Sequence, residues 1–95
     1  MKYKVKYTSQ FKKELKAVVK RGYDHNEIQH VIDLIAEGTN ASELCSKYKD
    51  HSLKGKWSGY RECHIRPDWL LIYELVEDVL VLSLSRTGTH SDLFD

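Results

Sequence analysis

Four residues of types that transfer protons or bind phosphate lie in the final third of the chain. His64 and Asp68 lie four residues apart in His-Ile-Arg-Pro-Asp, and Arg86 and His90 are equally spaced in Arg-Thr-Gly-Thr-His. Histidine exchanges a proton near neutral pH, whereas arginine is permanently cationic and can bind two phosphate oxygens at once. If the fold brings the four together, they could cleave an RNA phosphodiester without a metal ion.

That reaction needs a base, an acid and a cation. The base removes the proton of the attacking 2′-hydroxyl, the acid protonates the leaving 5′-oxygen, and the cation stabilises the charge that develops on the phosphate. Imidazoles can serve as base or acid, Arg86 as the cation, and Asp68 can orient an imidazole or act as the base. Trp69 and Phe94 could stack on RNA bases.

Each of these residues also has a purely structural interpretation. An arginine at a strand end is commonly an ion-pair partner, an aspartate after proline is typical of a turn, and Trp69 and Phe94 would be core residues in most proteins. The histidines and aspartate could also bind zinc, although their spacing matches no compact motif such as HExxH. From residue types alone, ribonuclease is one interpretation among these.

The elements that must position these residues follow from hydrophobic periodicity. Tyrosine and valine alternate with lysine over residues 2–8, which predicts a first strand with a cationic outer face. Helical spacing then predicts two helices that form a hairpin. The first is capped by Ser9 and stopped by Gly22; the second is capped by Asp24 and ends at Gly38.

The rest of the chain predicts a loop and three strands. The segment Thr39–Lys56 is mostly polar and predicts a connecting loop, and the three strands after it are joined by tight turns at Pro-Asp and Glu-Asp. If the first turn pairs Arg66 with Trp69, His64 lies opposite Leu71. The fold class is therefore α+β, with a strand, two helices and a mostly antiparallel β-meander in one domain over residues 1–95.

The second hairpin brings the polar residues to one end of the sheet. If it pairs Val76 with Val79, Trp69 lies opposite Arg86, and antiparallel partners project to the same face. Gly88 permits a bend that returns the chain to the same end. The groups expected there are His64, Asp68, Trp69, Arg86 and His90.

Composition and charge set the class of protein. The 95 residues carry 15 basic and 14 acidic side chains, a net charge of +1, but residues 1–56 hold 12 basic and 7 acidic (+5) and residues 57–95 hold 3 and 7 (−4). No apolar run is long enough to span a membrane and no secretory signal is seen, so a cytoplasmic protein is expected. Cys45 and Cys63 form no CxxC pair, and each is expected to be a buried thiol.

The residues that carry this chemistry also resemble a known family. The segment Tyr48–Tyr73, with Asp-His-Ser-Leu and His-Ile-Arg-Pro-Asp-Trp, and the later Arg-Thr-Gly-Thr-His-Ser-Asp-Leu-Phe resemble the YafQ branch of the RelE superfamily of bacterial toxins. The resemblance implies a RelE-like fold and a ribosome-dependent mRNA interferase, a toxin that cuts mRNA in the ribosomal A site. It also implies inhibition by a cognate antitoxin.

The resemblance further implies site residues. The implied catalytic set is His51, His64, Asp68, Arg86 and His90, with Phe94 and Trp69 as aromatic contacts to the substrate. In the hypothesis that follows, the first two histidines and Asp68 surround the attacking hydroxyl, His90 is the acid and Arg86 stabilises the phosphorus. No metal and no cofactor are expected.

The implied partners are macromolecules. They are a DinJ-like antitoxin, expected in a heterotetramer, the 70S ribosome with its mRNA, and operator DNA contacted only through the antitoxin complex; no membrane partner is expected. The basic half of the chain would contact ribosomal RNA phosphates, through Lys12, Lys13, Lys16, Lys54 and Lys56. The alternative is a non-catalytic toxin or binding module of the same fold, either a gyrase poison or a ribosome binder.

Overall fold

A computed structural model of the chain describes residues 1–94; Asp95, the last residue of the predicted domain, lies outside them. The elements in chain order are β1 (Lys4–Tyr7), α1 (Ser9–Lys20), α2 (His25–Glu37), α3 (Ala41–Tyr48), β2 (His51–Ser52), a 3-10 turn (Gly55–Trp57), β3 (Arg61–Arg66), β4 (Trp69–Val76), β5 (Val81–Gly88) and α4 (His90–Phe94). No helix within residues 1–94 has the length and apolarity needed to cross a membrane.

The five strands form one sheet in the order β1-β5-β4-β3-β2. Adjacent strands from β2 to β5 pair antiparallel, whereas β1 pairs parallel with β5. The predicted α+β class with a mostly antiparallel sheet is confirmed. Because β1 pairs with β5, the first strand lies at one edge of the sheet, beside the last strand.

The first two helices begin and end close to the predicted residues. Thr8, rather than Ser9, caps α1, since its hydroxyl oxygen accepts the backbone N–H of Phe11 at 3.2 Å. Asp24 caps α2 through the N–H of Asn26, as predicted, and the left-handed Gly38 ends that helix.

Apolar side chains of the sheet are buried on both of its faces. In β4 the side chains alternate between the faces, and residues 69–73 are all buried, which explains the continuous apolar run. The main core lies between the sheet and the first three helices; its largest buried members include Phe11, Ile28, Ile32, Trp69, Leu71, Tyr73, Leu82 and Leu84. A second cluster on the other face consists of Leu70, Ile72 and Leu93, with Leu53, Trp57 and Tyr60 packed against it.

The predicted loop at Thr39–Lys56 is wrong in detail. The segment contains α3, β2 and the 3-10 turn, and only Leu44 of α3 is buried. One buried residue in eight gives too little periodicity to predict a helix. Cys63 is a buried thiol as predicted, but Cys45 in α3 is exposed, against the prediction.

A buried polar network fixes this segment to the sheet. The carboxylate of Asp50 accepts hydrogen bonds from Arg61 Nε at 2.8 Å and from the hydroxyl of Tyr73. Burial and the adjacent carboxylate raise the pKa of Tyr73, so its hydroxyl remains a donor. Since β2 begins at the next residue, the network determines where His51 lies.

The predicted register of the first hairpin holds only at its end. Arg66 pairs with Trp69 as predicted, but an irregularity between residues 64 and 66 places His64 opposite Leu70 instead of Leu71. A one-residue shift reverses which face a side chain takes. His64 therefore lies on the face of the second cluster, and Trp69 lies on the face of the main core.

The predicted register of the second hairpin is wrong. Val76 pairs with Val81 rather than Val79 because the turn has four residues, 77–80, and ends at Leu80 in a left-handed conformation (φ 52°). A second irregularity, between residues 84 and 86, then places Arg86 opposite Ile72 rather than Trp69. Turn length and bulges are not readable from the apolar pattern. Arg86 still shares a face with His64, as predicted, but neither residue shares it with Trp69.

Candidate active site

Three imidazoles lie in a row on the sheet face of the second cluster. They come from β2 (His51), β3 (His64) and the first residue of α4 (His90). The ring centroids of His51 and His64 are 6.3 Å apart, and those of His64 and His90 are 5.6 Å apart. The three histidines predicted to be catalytic are far apart in the sequence but adjacent in the fold.

A buried carboxylate lies between the first two rings. Glu62 is only 5% exposed, and its Oε1 lies 3.3 Å from Nε2 of His64 and 3.5 Å from Nε2 of His51. A buried carboxylate without partners is costly; His64 can donate to it through Nε2, and His51 can do so when it is protonated. Glu62 was not among the residues predicted from the sequence, although strand alternation in Glu-Cys-His places it on the same face as His64.

The hydrogen bonds of His51 define its tautomer. Its Nδ1 lies 2.7 Å from the carbonyl oxygen of Lys49, which can only accept, so Nδ1 carries a proton. Lys49 has a left-handed conformation (φ 56°) at the end of α3, which turns that carbonyl toward the ring. A neutral His51 therefore has its unprotonated nitrogen, Nε2, on the side of Glu62.

Asp68 and His90 form a second carboxylate–imidazole pair. Oδ1 of Asp68 accepts the backbone N–H of His90 at 2.9 Å and lies 2.5 Å from its Nδ1. These hydrogen bonds hold the pKa of Asp68 below its usual value. With Nδ1 donating to the carboxylate, Nε2 is the nitrogen of His90 left for proton transfer.

The start of α4 is fixed by a reciprocal capping box. The Thr89 hydroxyl accepts the N–H of Asp92 at 3.1 Å, and Oδ2 of Asp92 accepts the N–H of Thr89 at 2.9 Å. A Cβ on Gly88 would lie 2.9 Å from Cβ of Asp92, so only glycine fits there. The predicted bend at Gly88 is present, and the capping box explains how His90 is held.

Arg86 is bound by an acidic residue from α1. Its Nε lies 2.9 and 2.8 Å from the two carboxylate oxygens of Glu14, and its Nη2 lies 2.7 Å from Oε2. This hydrogen bonding raises the pKa of Arg86 further above its usual value. The ion-pair interpretation of Arg86 is therefore confirmed, and a phosphate-binding role remains a prediction. Its partner Glu14 was not predicted from the sequence.

The two aromatic residues differ in exposure. Trp69 is fully buried, donates its indole N–H to Thr87 Oγ1 at 3.0 Å and packs edge-on against Tyr23. The prediction that Trp69 stacks on substrate is therefore wrong, because the residue lies in the main core. Phe94 is 43% exposed and packs against Trp57, with ring centroids 6.2 Å apart. Its exposed ring remains available for a base.

The remaining predicted residues lie on the surface. All five lysines proposed to contact RNA are exposed. Lys12, Lys13 and Lys16 lie on α1, Lys54 directly precedes the 3-10 turn, and Lys56 lies within it. Within residues 1–94, no group of three or more His, Cys, Asp or Glu side chains is arranged to hold a metal ion.

Comparison with known proteins places the chain among bacterial toxins. Residues 3–95 match a family described as the bacterial toxin of a type II toxin-antitoxin system, YafQ. The mRNA interferase toxin YafQ of Escherichia coli K12 is 41% identical over 90 residues, which cover 95% of this chain and 94% of that protein.

Two solved structures extend the comparison. The E. coli DinJ-YafQ toxin-antitoxin complex matches with a TM-score of 0.87 and 39% identity, and the match covers 100% of both chains. A metal-bound toxin from Helicobacter pylori matches with a TM-score of 0.87 and 39% identity over 97% of this chain and 99% of that one. The fold is thus shared with toxins of this kind over nearly the whole length of the chain.

Proposed function

Since this chain belongs to the YafQ family of bacterial type II toxins, we propose that it is a ribosome-dependent mRNA interferase. It cuts mRNA in the ribosomal A site and so inhibits translation. The observation that carries the proposal is the row of three imidazoles, with Glu62 between the first two and Asp68 on the third. Acid–base cleavage of RNA requires a general base and a general acid, and the two ends of the row can supply one each.

The base comes from the end of the row that holds Glu62. His51 donates through Nδ1 and keeps Nε2 as an acceptor, whereas His64 can donate through Nε2 to Glu62 and keep Nδ1. Either ring can therefore take the proton of the 2′-hydroxyl. The 2′-oxygen then attacks the phosphorus.

The acid comes from the other end. Asp68 bonds both the backbone and the ring of His90, so we assign it to the acid rather than to the attacking hydroxyl. As the bond between phosphorus and the 5′-oxygen breaks, His90 Nε2 gives its proton to that oxygen. The products are a 2′,3′-cyclic phosphate and a 5′-hydroxyl.

Arg86 supplies the cation. Arg86 and Glu62 both pair with Ile72 from opposite sides, so the guanidinium and the imidazoles share one sheet face. Glu14 occupies Nε and Nη2, which leaves Nη1 to bind a phosphoryl oxygen of the pentacovalent phosphorus. Phe94, at the end of α4, contacts a base of the message.

The ribosome holds the substrate. The exposed lysines of α1 and of the segment around the 3-10 turn contact ribosomal RNA phosphates, an attraction that depends on salt and reads no sequence. Residues 57–95, which carry His64, His90 and Arg86, hold only three basic residues in all. Free RNA is therefore cut weakly, and the ribosome positions the message for cleavage.

The antitoxin is the second partner. The E. coli relative forms a complex with DinJ, and we propose that a DinJ-like antitoxin binds this chain in a heterotetramer. Operator DNA would be contacted only through that complex. The proposed reaction needs no metal, so a chelator should leave cleavage unchanged once the magnesium that the ribosome requires is restored.

The test is primer extension on a translated message after induction of the toxin. The proposal predicts position-specific cuts within codons, and His64→Ala, Arg86→Ala and His90→Ala should each suppress them severely. Arrested growth with intact mRNA would favour a non-catalytic binder or a gyrase poison. Normal cutting by all three variants would show that the proposed site is wrong.

A further inference from the structure

We propose that Glu14 of α1 is the positioning residue for Arg86. The effect of Glu14 on catalysis rests on the function proposed above, whereas its contact with Arg86 does not. The exposed fractions are 15% for the Glu14 side chain and 27% for that of Arg86. The pair is therefore largely withdrawn from water, unlike an ordinary surface ion pair.

Glu14 contacts β5 beyond the point where β1 stops pairing with that strand. β1 pairs with β5 only as far as Leu84, so the next residues of β5 have no strand on that side. Glu14 takes the place of the missing strand, because its Oε1 accepts the backbone N–H of Thr87 at 3.1 Å. The same carboxylate then binds the guanidinium of Arg86. Backbone and side chain of β5 are thus held by one residue of α1.

Donating two N–H groups to one carboxylate removes most of the freedom of an arginine side chain. The planar guanidinium is fixed by its Nε and Nη2 donors, and the direction of Nη1 follows from its geometry. A cation placed in advance stabilises the charge that develops in the reaction without reorganising. Glu14 therefore acts on the reaction through Arg86 and touches no substrate.

The charge of Glu14 gives a second reason to assign it a role. It is the single acidic residue among the first 21, which carry eight basic side chains. A carboxylate within a cationic face weakens attraction to RNA. If Glu14 were only a surface charge, its removal would strengthen ribosome binding and leave cleavage unchanged or faster.

The test compares Glu14→Ala and Glu14→Gln with wild type in single-turnover cleavage on ribosomes. A positioning role predicts that the single-turnover cleavage rate constant falls on the order of 10- to 100-fold in Glu14→Ala, with ribosome affinity equal to or tighter than wild type. Glu14→Gln keeps one acceptor oxygen and should lie between the two. The near-isosteric Gln variant decides the question if the Ala variant does not fold.

Glu27→Ala is the matched control. Glu27 is also a helix carboxylate that binds an arginine, with Arg66 Nη2 at 2.8 Å from its Oε2, and its loss changes the net charge equally. It should cleave as wild type does. If Glu14→Gln and Glu14→Ala cleave at the wild-type rate, or lose only as much as Glu27→Ala, the inference is overturned.

A second measurement separates this inference from the proposed function. In the free protein, the Nε–H of Arg86 should exchange slowly with water by ¹⁵N NMR, and that slow signal should be lost in Glu14→Ala. This result is independent of cleavage. If wild type fails to cut mRNA, the proposed function fails while a slow Arg86 signal still supports the contact. Rapid exchange in wild type would overturn the positioning role whatever the activity.

Discussion

At the residue scale, the proposed chemistry depends on what each imidazole nitrogen faces. His51 faces a carbonyl and Glu62, His64 faces Glu62, and His90 faces Asp68. Each carboxylate accepts from a ring nitrogen and so leaves another ring nitrogen for the substrate. The row therefore carries fixed tautomers at both ends, which is what distinguishes it from three unrelated surface histidines.

Glu62→Gln tests the carboxylate between two rings. The amide has nearly the same size but no charge, and its NH₂ group can no longer accept from an imidazole. We expect single-turnover cleavage to fall about 10- to 100-fold, less than the loss of a general base itself. Glu43→Gln, on exposed α3, is the control and should be unaffected. Wild-type cleavage by Glu62→Gln would remove Glu62 from the site.

Asp68→Asn tests the pair at the other end. Because its folded-state pKa is lowered, the Asp68 carboxylate contributes stability that is present at neutral pH and is lost as pH falls through that lowered pKa. Comparing unfolding of wild type and Asp68→Asn between about pH 6 and about pH 2 should therefore show the curves converge at low pH. Parallel curves over that range would contradict the assigned ion pair.

At the element scale, α4 positions His90 and Phe94 through a short, tightly capped turn. Arg21 at the end of α1 also contacts this helix, since its Nη2 lies 2.7 Å from Oδ2 of Asp92. The pairing of Asp92 with Arg21 and with the N–H of Thr89 holds the pKa of Asp92 low. One helix, α1, thus supports both Arg86 and α4.

Gly88→Ala tests this support. The added Cβ would lie 2.9 Å from Cβ of Asp92, and we expect a loss of about 1 to 3 kcal/mol in the free energy of unfolding together with impaired cleavage. Gly22→Ala is the control, because Gly22 also has a positive φ but no neighbouring atom within 4 Å. It should lose some stability and keep its cleavage. Normal cleavage by Gly88→Ala would show that α4 need not be held in this position.

The elements also show what the sequence could predict. Strong apolar periodicity and caps predicted α1, α2 and the three long strands, and the motif residues His64, Asp68 and His90 were correctly expected near one another. The face of Trp69 and the partner of Arg86 were not predictable, because they depend on one-residue bulges and a four-residue turn that leave no mark on periodicity.

The two missed carboxylates have different explanations. Glu62 could have been found from strand alternation with His64. Glu14 could not, because its contact with Arg86 joins residues 72 positions apart and depends on where β1 ends. Long-range side-chain contacts of this kind follow from the assembled fold rather than from a local pattern.

At the scale of the whole molecule, charge is divided between two tasks. The net charge of +1 conceals a basic first half and an acidic second half, and the exposed lysines of α1 lie outside the row of imidazoles. The division fits a protein that binds the ribosome through contacts between its lysines and ribosomal RNA, and that cuts mRNA at a separate acid–base site.

Changing Lys12, Lys13 and Lys16 together to Glu tests that division. Each replacement removes a phosphate-binding cation and adds a repulsive charge, so ribosome affinity should fall and its dependence on salt should weaken. The cleavage rate at saturating toxin should change much less. Unchanged affinity at matched salt would reduce these lysines to an ordinary solvated face.

The central claim is that the row of imidazoles promotes attack of an mRNA 2′-hydroxyl on the neighbouring phosphorus while the message is bound to the ribosome. The end groups of the products test this claim most directly. Ribosomes carrying a defined message are mixed with purified toxin, and the ends at each cut are identified. We expect a 2′,3′-cyclic phosphate and a 5′-hydroxyl, with the cut lost in His90→Ala. A 5′-phosphate with a 3′-hydroxyl, or undiminished cutting by His90→Ala, would contradict the account.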